Sequence, residues 1–159
     1  MRESGVVVLA DQLEVALRIR PARRRIGDGF ISTAPEQEYV EKFAEGGGDG
    51  KPKLGMMHCA YDADEKAALK RAAKLWPNLA LKGPLGQELA TPSDFEAAAE
   101  MVDEEDVAES TPCGPDPERY LELIRKYDDA GFTHVYIHQI GDNQDEFAEF
   151  AKRELMPKL

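Results

Sequence analysis

Apolar positions along this chain fall into short β-branched or aromatic runs that alternate with stripes at helical spacing. Ile26-Gly27-Asp28-Gly29-Phe30-Ile31-Ser32-Thr33 reads as a tight glycine turn entering a short buried strand. Thr33-Ala34-Pro35-Glu36 then places a hydroxyl three residues before a carboxylate, which predicts a Thr-capped helix running through Val40 and Phe43. The glycines from Gly46 to Gly50 break that helix, and Lys53 to Tyr61 forms a second apolar strand ending at Asp62-Ala63-Asp64. A helix from Asp64 follows, continues through Leu69, Ala72 and Leu75 to Trp76, and is stopped by Pro77. Residues 78–89 show little periodicity and contain Pro84, so they read as an irregular excursion of the covering or functional kind. Helical pattern resumes at Thr91-Pro92-Ser93-Asp94, a capped start, and again at Asp103-Glu104-Glu105-Asp106. Ahead of all this, Ala10 to Ile19 is a weakly amphipathic helix candidate.

The stretch from Pro112 to Gly141 is a complete helix-then-strand unit. Asp116 caps, Pro117 occupies the first helical position where its missing N–H costs nothing, and Glu118 sits in the first turn. Tyr120, Leu121, Ile124 and Tyr127 make the apolar stripe, and Ala130-Gly131 ends it with a residue suited to a left-handed cap. Phe132 to His138 is the strand, and Gln139 to Asn143 is turn chemistry. Strands at about Gly29, Leu54 and Thr133, each with a helical partner, predict a parallel sheet with helices outside. Three parallel strands bury too little and leave open edges, so the chain reads as part of a larger barrel or sheet.

Composition narrows the classes. The chain has 159 residues, 42% of them apolar, as expected of one folded domain. Thirty-one acidic against 20 basic residues give a net charge of −11, which opposes non-specific attachment to nucleic acid or to an anionic membrane. The arginines between Arg18 and Arg25 form a local basic cluster that reads as a solvated face. No apolar run spans a bilayer and no secretory pattern is present; Cys59 and Cys113 lack metal or disulfide spacing, and a reducing cytoplasm is expected. Gly27-Asp28-Gly29 lacks the further glycines or lysine of a phosphate loop, Ser32 and Thr33 lack a nucleophile elbow, and His58 and His138 match no metal-ligand spacing. His58 reads as a packed core residue, and Trp76 as an indole closing its helix or lying over a pocket. His138 and Gln139 are different in kind. They stand at the carboxyl end of a strand, where ligands of α/β proteins gather.

Four segments, Ala22 to Thr33, Trp76-Pro77-Asn78, Pro112 to Arg119 and Ala130 to Gln139, resemble the carboxy-terminal part of the luciferase-like oxidoreductases that use the deazaflavin coenzyme F420, in the group related to F420-dependent glucose-6-phosphate dehydrogenase. The resemblance implies the carboxy-terminal portion of a (β/α)8 TIM barrel over residues 22–159, about three parallel strands with helices in an incomplete barrel, preceded by an atypical segment at residues 1–21. It implies coenzyme F420, with FMN as the alternative, a small-molecule substrate, and hydride transfer between them. The family's catalytic histidine, acidic residue and most coenzyme contacts lie on the other half of the barrel, so no catalytic, coenzyme-binding or metal residue is assigned and no activity is expected of this portion alone. Thr33, His138 and Gln139 are the substrate-pocket candidates. Met1 to Pro21 departs from the family's strand and Gly-Pro turn, as a displaced gene start would produce, and Glu36 stands where the sugar-phosphate enzymes carry a lysine. The alternative reading is a non-catalytic half-barrel that binds a partner or its own copies, as a homo-oligomer, through the open sheet edge.

Overall fold

The computed structural model describes residues 7–9, 27–81 and 85–159. Four strands, β1 (Val7–Leu9), β2 (Gly29–Ser32), β3 (Lys53–Cys59) and β4 (His134–Gln139), form one sheet in the order β1-β2-β3-β4. β1 pairs parallel to β2 with Val7 opposite Gly29, and β2 pairs parallel to β3 with Ile31 opposite Leu54. Thr133 donates its N–H to Lys53 O at 2.8 Å and Ile140 donates to Cys59 O at 2.8 Å, so β3 and β4 advance together in the same direction. The helices are α1 (Gln37–Phe43), α2 (Glu65–Leu75), α3 (Leu85–Glu88), α4 (Pro92–Ala99), α5 (Glu104–Ser110), α6 (Pro117–Asp129) and α7 (Gln144–Phe150). The three expected strands are present and parallel. β1 is an addition and corrects the expectation that residues 1–21 hold no strand; three residues are too few for a period-2 pattern to register. The Ala10–Ile19 helix candidate and the arginine cluster lie outside the described residues.

The chain divides into two compact units, Met1–Met57 with Glu122–Ile137, and His58–Leu121 with His138–Leu159. In the first unit, Phe30 stacks on Phe43 and on Phe132 at centroid distances of 5.4 and 5.9 Å, with Tyr39 and Val40 buried as well. Tyr127 is this unit's keystone. Its ring lies where Gly55 has no side chain, since a Cβ on Gly55 would approach the ring to 2.4 Å, and its hydroxyl donates toward Thr33 O at 2.6 Å and Met56 O at 3.1 Å. α6 ends as its sequence requires: Gly131, at φ +88°, donates to Asp128 O and Phe132 donates to Tyr127 O, while Phe132 packs edge-on against the Tyr127 ring at 5.2 Å. That is a Schellman ending with its hydrophobic contact.

The start of α1 differs from expectation. Thr33 does not cap it; Glu36 is the boundary residue and makes no side-chain cap, and Ser32 Oγ instead bonds the N–H and carbonyl of Ala34. Pro35 explains the shift, because the residue before a proline is driven away from helical conformation.

In the second unit, Ala60, Ala68, Ala72, Ala80, Val107, Cys113 and Ile140 form a core of small side chains, with Leu69, Trp76 and Val102 packed against it. A second, aromatic layer joins Tyr61, Tyr120, Phe147 and Phe150, Tyr61 stacking on Phe150 at 4.6 Å. The caps of α2, α4 and α5 are those the sequence signals: Asp64 accepts from Lys66 N–H, and Thr91 with Asp94 and Asp103 with Asp106 form reciprocal capping boxes. The supposedly irregular excursion is partly ordered into a 3₁₀ turn at Pro77–Ala80 and the short α3. Among the described residues no helix is long and apolar enough to cross a membrane, and no three His, Cys, Asp or Glu side chains converge as metal ligands.

Both thiols are free and buried. Burial, reinforced by neighbouring Cys113, pushes Cys59 far above the ordinary thiol range; burial pushes Cys113 up to about 11 against the opposing charge of Arg119. An unfolded thiol ionises near 9 while the folded one keeps its proton, so the folded state binds more protons in that window and stability falls as pH rises. Urea denaturation midpoints should therefore be level below about pH 8.5 and decline between pH 9 and about 11. Replacing both cysteines by alanine should make that decline shallower and leave the part due to the buried Tyr120 hydroxyl, which burial also raises; an unchanged pH profile in the double variant would exclude the thiols as a cause.

Candidate functional site

The ends of β3 and β4 carry the polar chemistry of the second unit. Side chains alternate faces along each strand, so Cys59 and Gln139 share one face and His58 and His138 the other. Both pairs keep the same sequence offset of 80.

Gln139 is 4% exposed, and its amide is bonded throughout. Its Oε1 accepts from Tyr61 N–H at 2.9 Å and from the Cys59 thiol at 3.6 Å; its Nε2 donates to Asn143 Oδ1 at 3.0 Å and Ile140 O at 3.2 Å. Asn143 Nδ2 in turn donates to Tyr61 O at 2.7 Å, and Arg71 reaches Tyr61 O and Asn143 Oδ1 through Nη1. Arg71 Nη2 closes the network on Asp62 Oδ2 at 2.7 Å. The Asp64 backbone N–H, and then the Arg71 hydrogen bond, hold the Asp62 carboxyl below its usual range. Gly141, at φ +120°, lets the chain turn beside Arg71, whose Cδ would lie 2.6 Å from any Cβ there. Gln139 is a clamp on the turn after β3.

His138 presents a different environment. Its Nδ1 lies 2.9 Å from Nδ1 of His58, the two rings edge-on at 5.1 Å, and Trp76 packs 4.8 Å from the His138 ring and 5.2 Å from that of His58. His58 and His138 are both partly exposed, as is Trp76. The trio offers hydrogen-bonding nitrogens beside an aromatic face, a surface suited to an organic molecule with a polar oxygen. An open cavity of about 540 Å³ lies past Pro77, lined by Asn78, Thr91, Pro92, Phe95 and Ala99. Thr33 belongs to the first unit, where its carbonyl accepts from Tyr127. The structure thus brings His138 together with His58 and Trp76. Sequence reasoning gave His58 a packed core role and Trp76 either a helix-closing role or a place over a pocket; the missed signal was that His58 and His138 each lie one residue before a strand's last described position, on the same face. Asn143 and Tyr61 were legible only as a turn residue and a strand end, and Arg71 carried no local pattern.

Comparison with known proteins fits this geometry. An F420-dependent secondary alcohol dehydrogenase in complex with an F420-acetone adduct superposes with a TM-score of 0.72 at 16% identity, covering 96% of this chain and 48% of that one. The coenzyme F420-dependent tetrahydromethanopterin reductase from Methanopyrus kandleri superposes at 0.60 with 18% identity, covering 97% and 50%. The fold is therefore a portion of a (β/α)8 barrel whose sheet is not closed by the described strands. In sequence, the chain is 33% identical over 147 residues to the F420-dependent glucose-6-phosphate dehydrogenase of Rhodococcus erythropolis and 30% identical to that of Nocardia farcinica. In sequence the chain is thus similar to the F420-dependent oxidoreductases of that group, and the coverage fits their carboxy-terminal part. These matches cover 85% of this chain, which spans less than half the length of the curated relatives, 43% and 44%. No protein-family model matches the chain.

The clamp can be tested directly. Gln139→Leu keeps volume but strands the Tyr61 N–H and removes one of the hydrogen bonds to Asn143 Oδ1, and should lower stability by about 1–3 kcal/mol in urea denaturation. A cost below about 0.5 kcal/mol would show that water replaces the amide at no loss.

Proposed function

We propose that this chain supplies the substrate-side, carboxy-terminal part of a coenzyme F420-dependent oxidoreductase that moves hydride between an organic substrate and the deazaflavin. The observation that carries this reading is the 147-residue match to F420-dependent glucose-6-phosphate dehydrogenases at 30–33% identity. Residues 22–159 make up the family portion and residues 1–21 an atypical leading segment. In the complete enzyme the coenzyme supplies the hydride chemistry, and the protein's part is to hold and orient the reactants. The residues at the described strand ends do not fit the coenzyme's phosphate: they are imidazoles, an indole and an internally bonded amide, with Arg71 committed to Asp62. They suit the substrate, and no coenzyme contact or chemical step is assigned to them. FMN is the alternative cofactor.

Glu36 bears on the substrate. It stands exposed at the start of α1, with Glu38 in the first turn, where the resemblance expects a lysine for a sugar phosphate. A carboxylate in that place does not pair with a phosphate dianion, so glucose 6-phosphate is not the expected substrate.

The test uses the chain as it stands, and again fused behind the amino-terminal portion of the Rhodococcus erythropolis relative. Supplied with coenzyme F420 and isopropanol, the chain alone should give no reduction of the deazaflavin absorbance, and the fusion should. Turnover by the monomeric chain alone would overturn the division of labour, and inactivity of a folded fusion on a panel of alcohols would overturn the assignment.

A second reading has one observation in its favour: among the described residues β1 and β4 each have a single strand neighbour, and Tyr136 of β4 is 54% exposed. An open parallel edge recruits another chain. Light scattering on the same preparation separates the readings, since self-association without coenzyme binding favours an interaction module and a 17.7 kDa monomer removes it.

A further inference from the structure

The contact between His58 and His138 has a constraint built into it. A bond between two Nδ1 atoms at 2.9 Å needs one N–H and one bare nitrogen. A neutral imidazole carries a single ring hydrogen, so the ring that donates through Nδ1 has a bare Nε2, and the ring that accepts there holds its hydrogen on Nε2. The tautomers of the two rings are therefore coupled. Rotation is restricted as well. Trp76 packs against both rings, and the residue after His138, Gln139, is fixed through its amide to the turn at Tyr61. With Nδ1 occupied by the partner ring, Nε2 is the one nitrogen of His138 left to meet a ligand.

We infer that His58 is a positioning residue: it holds His138 in one tautomer and one ring orientation, so that Nε2 of His138 offers a defined hydrogen-bonding group to the oxygen of an alcohol or carbonyl substrate lying against Trp76. The substrate half of this inference rests on the oxidoreductase reading above; the positioning half rests on geometry alone. A bare Nε2 accepts from a hydroxyl and a protonated one donates to a carbonyl, so the arrangement in which the pair is held decides which side of an alcohol–carbonyl couple it favours. The relation resembles that of a histidine held in register by a hydrogen bond to its other nitrogen, a common way of fixing which nitrogen acts.

The chain has three histidines, which makes nitrogen NMR of the uniformly labelled full chain decisive. His134, exposed on β4 and bonded at Nδ1 to Thr133 Oγ1, is the internal control. At neutral pH the unaltered chain should show a through-bond coupling between Nδ1 of His58 and Nδ1 of His138, with a single tautomer at each ring. His58→Phe should remove the coupling and move both His138 nitrogens toward exchange-averaged positions. His58→Asn, whose amide occupies nearly the place of Nδ1, should restore one tautomer. Titration with isopropanol should then shift Nε2 of His138 and leave His134 unmoved. Averaged tautomers in the unaltered chain, or His138 signals indifferent to His58→Phe, overturn the positioning role; should that variant not fold, the coupling in the unaltered chain decides. Equal responses of His134 and His138 to isopropanol overturn the substrate contact. A locked tautomer in a chain whose fusion reduces no deazaflavin supports the positioning role and removes the oxidoreductase reading instead.

Discussion

The register between β3 and β4 is the constraint on which the candidate site depends. Thr133 bonds Lys53, His138 meets His58 and Gln139 meets Cys59, each pair 80 residues apart in sequence. Because side chains alternate faces, a slip of β4 by one residue against β3 would carry the His138 imidazole to the face of the buried amide and bring the amide out beside His58. Two independent devices oppose such a slip. Ile140 N–H is tied to Cys59 O, and the Gln139 amide is tied to both sides of the turn at Tyr61. The fixed amide is thus what makes the partly exposed histidine pair reproducible, although the amide itself is closed to ligands.

Packing within each unit follows from the same alternation. Gly55, Met57 and Cys59 are buried along β3, while Leu54, Met56 and His58 between them are only partly so. Beneath Gly55 the missing Cβ admits the Tyr127 ring, a choice of the smallest residue opposite one of the largest. In the second unit the helix α2 brings Ala68 and Ala72 to the core, and those small side chains allow close approach to Ala60 and Cys113, where the chain makes a short parallel bridge. Gly114, at φ +89°, completes that bridge by donating to Ala60 O, and its hydrogen in place of a Cβ leaves room for Glu65. Dense packing of this kind tolerates little change in volume.

Much of this was legible in the sequence because its signals are local. Asp64, Thr91 with Asp94, and Gly131 act within one turn of their own position, and each appears where its residue type predicts. β4 was visible for the same reason, through a β-branched and aromatic run closed by a glycine turn. Thr33 as a cap failed because two local signals competed, and the conformational limit before Pro35 outweighed the hydroxyl-to-carboxylate spacing. β1 was hidden by its length. The site divides along the same line: the strand-end position of His138 could be read directly, whereas its partners are 80 and 62 residues away in sequence, and no local pattern encodes a contact that only strand pairing creates.

The indole of Trp76 shows how a local signal nonetheless sets a distant contact. α2 stops at Leu75 because Pro77 cannot continue it, and Trp76, at φ −139° and ψ 50°, has already left helical geometry while its N–H still bonds Ala72 O. Each helical residue rotates the side-chain direction by about 100°. Moving the stop by one residue would therefore swing the indole about a quarter turn away from the two imidazoles, which would then face more water. A hydrogen bond between neutral rings is strengthened by excluding competing water from its surroundings. The proline that ends a helix thus also fixes the polarity around a pair of histidines contributed by two other strands, and a change at Pro77 should act on His138 without touching it.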